Sequence, residues 1–187
     1  CKIFLSQKAS ENFEKLQSFG ALKYLINTKN YPIDSFGLKF QQAALVNTDN
    51  RLKADQSVTP GFLLAALMWP RLIEETNEEG TLNLKKFFRS MDRIIREQQE
   101  LTAIPRKFHG YIKDIWSLQL KLETRLGHQP YKILNHPRFR AAYDFLLLRE
   151  EAAMDSQGIG SWWTEFQKVN RPRKIEMLQI LRDSRKG

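Results

Sequence analysis

The sequence predicts an all-α protein, an irregular multi-helix array, and three observations carry that reading. Apolar residues recur at three- and four-residue steps through most of the chain, which is the period of one buried helix face. Strand signals are missing: there is no Asn-Gly or Asp-Gly turn and no sustained alternation of apolar and polar residues. With 187 residues and 42% hydrophobic side chains, the chain has material for one large domain or two small ones.

The elements follow in order. Phe13, Leu16 and Phe19, then Leu22, Leu25 and Ile26, predict two short helices broken at Gly20. Pro32 ends that region, and Asp34 is placed to cap a helix that turns Phe36, Phe40, Ala43, Ala44 and Leu52 inward before fading in the polar run from Asn47 to Asp55. Thr59-Pro60 is a start signal, because the Thr hydroxyl can accept an orphan N–H and Pro has no donor to strand there. The following helix, apolar nearly all round from Phe62, is expected at the centre, with Pro70 kinking it or ending it near Trp69. Leu84, Phe87, Phe88, Met91, Ile94, Ile95 and Leu101 mark an amphipathic helix whose other face carries Lys85, Arg89, Arg93 and Arg96. Pro105 opens another, with Phe108, Ile112, Ile115, Trp116, Gln119 and Leu122 on one side and Gly127 as its stop. A short helix with Tyr131, Ile133 and Leu134 precedes His136-Pro137, after which Phe139, Tyr143, Leu146, Leu147 and Met154 form a stripe. Gly158 and Gly160 separate it from a last pair, built on Trp162, Trp163 and Phe166, then on Ile175, Leu178 and Leu181. No apolar run approaches the roughly 18 residues of a spanning helix, so no integral membrane segment is expected.

Catalytic constellations are not apparent. The chain has no phosphate-binding glycine loop, no Asp-x-Asp pair and no zinc-ligand spacing around His109, His128 or His136. Those histidines read as surface or capping residues, or as neighbours of a phosphate. Glu74, Glu75, Glu78 and Glu79 read as a solvated loop before Gly80, not a metal site. The polypeptide by itself is therefore expected to be inactive, with no catalytic residue, metal or cofactor of its own.

Charge is the informative signal. Thirty Lys and Arg against 21 Asp and Glu leave a formal charge of +9, a field that draws polyanions. Residues 101–140 hold Arg106, Lys107, Lys113, Lys121, Arg125, Lys132, Arg138 and Arg140 against Asp114 and Glu123 alone. Lys and Arg that neutralise phosphates release counterions, which gives a sequence-blind, salt-sensitive grip on a nucleic-acid strand. Of the aromatics, Trp116 and Phe139 are expected in the core. Trp162 and Trp163 are adjacent, so one of them must point away from the face that the other buries.

Five strings occur in order: Val58-Thr-Pro-Gly-Phe-Leu-Leu-Ala-Ala-Leu-Met-Trp69, Leu101-Thr-Ala-Ile-Pro-Arg-Lys-Phe108, Asp114-Ile-Trp-Ser-Leu-Gln-Leu120, His136-Pro-Arg-Phe-Arg-Ala-Ala-Tyr-Asp-Phe-Leu-Leu-Leu-Arg149 and Trp162-Trp-Thr-Glu-Phe-Gln167. With Asn47-Thr-Asp-Asn-Arg51 upstream, they resemble the C-terminal part of bacterial poly(A) polymerases, nucleotidyltransferases related to the CCA-adding enzymes. The resemblance implies a helical neck over residues 1–57 and a helical, RNA-binding body over 58–187. It also implies a catalytic head elsewhere in the same cytoplasmic polypeptide, where ATP and Mg²⁺ would be used to add AMP to single-stranded RNA 3′ ends. The head's Gly-Ser motif and Asp pair are absent here. Cys1, without an initiating Met, then reads as the start of a fragment and not as a lipoprotein's modified residue. Two other readings stand beside this one: the C-terminal part of a CCA-adding enzyme, and a basic helical adaptor for a protein partner.

Overall fold

The structure is a computed structural model that describes residues 2–27, 35–153 and 158–184. Cys1, Pro32, Asp34, Met154 and residues 185–187 lie outside that set. The described residues are almost entirely helical, in agreement with the all-α expectation. They divide into two compact units, residues 1–113 and 114–187.

The first unit begins with a 3-10 turn, Lys2–Phe4, followed by α1 (Ala9–Ser18), a second 3-10 turn (Leu22–Tyr24), α2 (Ser35–Lys53) and α3 (Pro60–Thr76). A hairpin of β1 (Asn77–Glu78) and β2 (Thr81–Leu82), then α4 (Leu84–Leu101) and the first turns of α5 (Lys107–Thr124), complete it. Gly20 does break the first helix. At φ +64° its N–H donates to Gln17 O while the Ala21 N–H donates to Leu16 O, the paired bonds of a Schellman end. Phe19, expected inward, is instead 82% exposed, because the helix stops one residue before it.

Helix α3 is central, as its sequence predicts: every residue from Leu63 to Leu72 is buried, and the helix packs against α2 and α4. Pro60 occupies its first position, but the Thr59 hydroxyl makes no capping bond. Gly61 has a packing role, since a Cβ there would lie 2.8 Å from the Tyr111 ring and 3.0 Å from that of Phe108. Pro70 does not end α3 near Trp69; the helix continues to Thr76. Beyond the proline, Leu72 is buried and Arg71 is anchored by Glu75 and by Glu97 on α4.

That anchoring corrects the reading of Glu75 as part of a solvated loop. Glu75 is buried in the last turn of α3, accepts from Ser90 Oγ at 2.8 Å, and pairs with Arg71 and with Arg93 of α4. Glu74, Glu78 and Glu79 are exposed as expected. The hairpin that follows was not anticipated: Asn77 pairs with Leu82 and Glu78 with Thr81. Glu79 (φ 51°) and Gly80 (φ 81°) form a turn with both central residues at positive φ, and Glu replaces the usual Asn or Asp signal.

The second unit contains the rest of α5, then α6 (Gln129–Leu134), α7 (Phe139–Ala153), α8 (Ile159–Lys168) and α9 (Arg171–Asp183). Its core joins Leu118 and Leu122 of α5 to Phe139, Tyr143 and Leu146 of α7, Trp163 and Phe166 of α8, and Met177 of α9. Gly160 is more than a separator. It lies within α8, where its N–H donates to the Glu150 carboxylate at 3.0 Å, and a Cβ would collide with Glu150 and Leu147 of α7. On α9 the buried residue is Met177, while Leu178 only packs against the core and Ile175 is exposed, contrary to the expected Ile175, Leu178 and Leu181 stripe. No helix is long and apolar enough to cross a membrane among the described residues.

Candidate nucleic-acid interface

The eight cations of the basic segment divide between the units. Arg106, Lys107 and Lys113 belong to the first. Arg106 is exposed just before α5, where its carbonyl accepts from the His109 N–H at 3.1 Å. Lys107 is exposed with its ammonium 5.1 Å from the Phe108 ring centroid. Lys113, half-buried, reaches back to Asp92 on α4, Nζ to Oδ1 2.9 Å. The polar face of α4 is also resolved. Arg93 is exposed but pairs with the buried Glu75, whereas Lys85, Arg89 and Arg96 are exposed with no such pair among the described residues.

Lys121, Arg125, Lys132, Arg138 and Arg140 belong to the second unit. Lys121 on α5 and Lys132 on α6 are exposed, and neither forms an ion pair with another described residue. Arg125 follows the last residue of α5 at φ 41°, so the helix ends before Gly127, and its guanidinium lies 5.5 Å from the Trp162 ring centroid. Arg138 is exposed at the start of α7; its N–H donates to His136 Nδ1 at 3.0 Å. Of the three roles read for the histidines, surface, capping or phosphate neighbour, this bond gives His136 the capping one. Arg140 pairs with Asp144 one turn on (3.1 Å) and lies 5.7 Å from the Tyr143 ring centroid.

Lys113 and Arg140 are therefore engaged with carboxylates. Both pairs are solvent-facing, worth about 0–1 kcal/mol each, and easily exchanged for a phosphate. The segment's own Glu123 is matched by Arg149 of α7 at 3.1 Å, which preserves the positive excess.

The aromatics sort as the sequence predicted. Trp116 and Phe139 are buried. Trp163 is fully buried and its indole N–H donates to Leu122 O at 3.0 Å, while Trp162 turns outward and is half-buried. Trp162 is stacked on Phe166 (centroids 4.6 Å, planes 14° apart), with Arg125 against Trp162 and Lys174 Nζ 5.3 Å from the Phe166 centroid. The sequence reading overlooked Lys174, although its place one residue after Arg173 in a helix adjoining the tryptophans offered a clue. Arg173 is held by Glu165 and Glu176, whose hydrogen bonds push its pKa up further.

Among the described residues no three His, Cys, Asp or Glu side chains converge. What the surface offers is cations on long side chains beside aromatic rings, the chemistry that holds a phosphate backbone and stacks on bases.

The chain is similar in sequence to known proteins. Residues 79–187 match the family described as polymerase A arginine-rich C-terminus. Poly(A) polymerase I of Escherichia coli O6:H1 is 38% identical over 146 residues, which is 75% of this chain and 31% of that protein. Its namesake from Salmonella typhi is 37% identical over 145 residues, 74% of this chain and 31% of the relative. The Haemophilus influenzae protein of the same name is 33% identical over 172 residues, 89% of this chain and 37% of the relative. The chain spans about a third of the length of the curated relatives it matches.

Proposed function

The chain belongs to the polymerase A arginine-rich C-terminus family, and from that premise we propose that it is the RNA-holding part of a polymerase that adds AMP from ATP to RNA 3′ ends. In this reading residues 1–57 act as a neck and 58–187 as a body. ATP and Mg²⁺ are used by a catalytic head elsewhere in the polypeptide, and no step of the transfer runs through residues described above. The chain's contribution is positioning: a strand held by its backbone presents its 3′ hydroxyl to the head, and the entropic cost of that encounter is met by binding.

The observation that carries the proposal is the uncompensated charge of residues 101–140. Arg106, Lys121 and Lys132 are exposed without a carboxylate partner among the described residues, and Glu123 is already neutralised by Arg149. Lys107, Lys113, Arg125, Arg138 and Arg140 are the remaining proposed contacts. Forked guanidiniums grip two phosphate oxygens, whereas ammonium groups act as point charges. The relatives' shared name favours a single-stranded substrate over the folded tRNA of a CCA-adding enzyme.

A filter-binding titration of the 187-residue chain with oligoadenylate at two salt concentrations tests this. Binding is expected at low salt and should weaken steeply as salt rises. Absence of binding at low salt, or indifference to salt, refutes the phosphate-holding role. Competition with folded tRNA decides between the two substrate classes.

A further inference from the structure

We propose that the outward face of α4 is a second contact site for single-stranded RNA, in which Lys85, Arg89 and Arg96 hold the backbone and the Phe88 ring stacks on a base. The proposal rests on the RNA-holding reading but concerns residues outside the 101–140 segment.

Lys85, Arg89, Asp92 and Arg96 recur at steps of four, three and four, so they share roughly 60° of arc on the helix. The row extends about 16 Å along the axis at ~1.5 Å per residue. Lys85, Arg89 and Arg96 are exposed and form no ion pair with any described residue. The one acid in the row, Asp92, is neutralised by Lys113 from α5 at 2.9 Å. Lys113, itself one of the proposed contacts, thereby offsets the charge that would repel a phosphate.

Phe88 lies beside this row and is not part of the core. Phe87, Met91, Ile94 and Ile95 fill the buried side of α4, leaving Phe88 48% exposed and Leu84, one turn earlier, 55% exposed. The Phe88 ring stands edge-on to the buried Phe87 (centroids 5.7 Å, 86°), which fixes its angle. An exposed aromatic ring beside unpaired cations is complementary to a strand that carries a charge and a π-face in every nucleotide.

Fluorescence anisotropy of labelled oligoadenylate with the 187-residue chain tests the site, using two variants whose signatures differ. In the triple variant Lys85→Gln, Arg89→Gln, Arg96→Gln, the slope of log affinity against log salt is expected to become shallower by about two, since each phosphate contact on a single strand contributes ~0.7. In Phe88→Ala the slope is expected to be unchanged while affinity falls roughly 5- to 150-fold. Phe88→Trp should retain affinity. Phe88→Leu, which keeps the apolar bulk but loses the aromatic face, should lose it without a change in melting temperature, so a folding defect is not mistaken for the effect. An oligoadenylate with one 2-aminopurine should be quenched by the parent chain and less so by Phe88→Leu. An unchanged slope in the triple variant, or full affinity and quenching in Phe88→Leu, overturns the site. If those results accompany a shallower slope in Arg106→Gln, Lys121→Gln, Lys132→Gln, only the α4 proposal fails. If the parent chain shows no salt-dependent binding, the RNA-holding reading fails with it.

Discussion

Replacing Asp49 tests how the first unit is held together. Asp49 sits in α2, forty residues from α1 in sequence, yet its carboxylate accepts from the Ala9 N–H at 2.6 Å, the Ser10 N–H at 3.1 Å and the Ser10 hydroxyl at 2.8 Å. It performs the capping that Lys8, at the N-cap position of α1, does not. Burial alone would raise the Asp49 pKa, but the bonds from Ala9 and Ser10 and the nearby Lys53 charge outweigh it and hold the carboxyl below its ordinary value. Asp49→Ala strands two backbone donors, of which the Ala9 N–H is in a fully buried residue. At about 1–3 kcal/mol for a buried donor and ~1 kcal/mol for a lost cap, the expected destabilisation is about 3 kcal/mol. In urea that is a midpoint shift of about 1.5 M at an m-value of about 2 kcal/mol/M. Hydrogen exchange by mass spectrometry places the effect: peptides from α1 should exchange faster while those from α7 and α8 do not. Because the native pKa is lowered, the Asp49 contribution is complete above the unfolded value of about 3.9 and disappears as pH falls through the native one. Asp49→Asn should accordingly flatten the acid limb of the stability curve. Unchanged stability and unchanged α1 exchange in Asp49→Ala would refute the reasoning.

Other perturbations probe the same structure elsewhere. Glu75→Ala leaves Arg71 buried beside a missing partner and should cost ~3–5 kcal/mol, read from thermal or urea unfolding. Gly160→Ala forces a methyl into Glu150 and Leu147 and should cost about 1–3 kcal/mol by the same measurement. Lys113→Ala breaks only a solvent-facing pair, so its stability loss should stay under about 1 kcal/mol. It nevertheless uncovers the Asp92 charge and should weaken oligoadenylate binding at low salt. Asp92→Asn should do the opposite and strengthen it, as a titration of both variants will show.

Some of this was legible along the chain and some was not, and particular residues show the divide. The α4 and α7 stripes were readable because Phe87, Met91 and Ile94, or Phe139, Tyr143 and Leu146, repeat within one or two turns and need no distant partner. Phe88 and Leu84 fit the same pattern yet are exposed, because periodicity names a face without saying how wide a neighbour covers it. Pro70 was overestimated as a helix stop: its local cost is outweighed by the burial of Leu72 and the pairing of Arg71. The hairpin at Asn77–Leu82 escaped because its turn uses Glu-Gly.

For the candidate interface, composition and spacing were enough to establish a helical chain with positive charge concentrated over residues 101–140. Those are properties of neighbouring residues, and they survive any arrangement of the helices. Only the folded molecule could decide which charges are spent. Arg93 is paired with Glu75, Lys113 is drawn to Asp92, Asp49 and Glu150 cap helices formed by distant residues, and Lys85, Arg89 and Arg96 are left facing solvent. Such pairings depend on close approach between residues far apart in sequence, and electrostatic energies over a few ångströms leave no trace in a linear pattern.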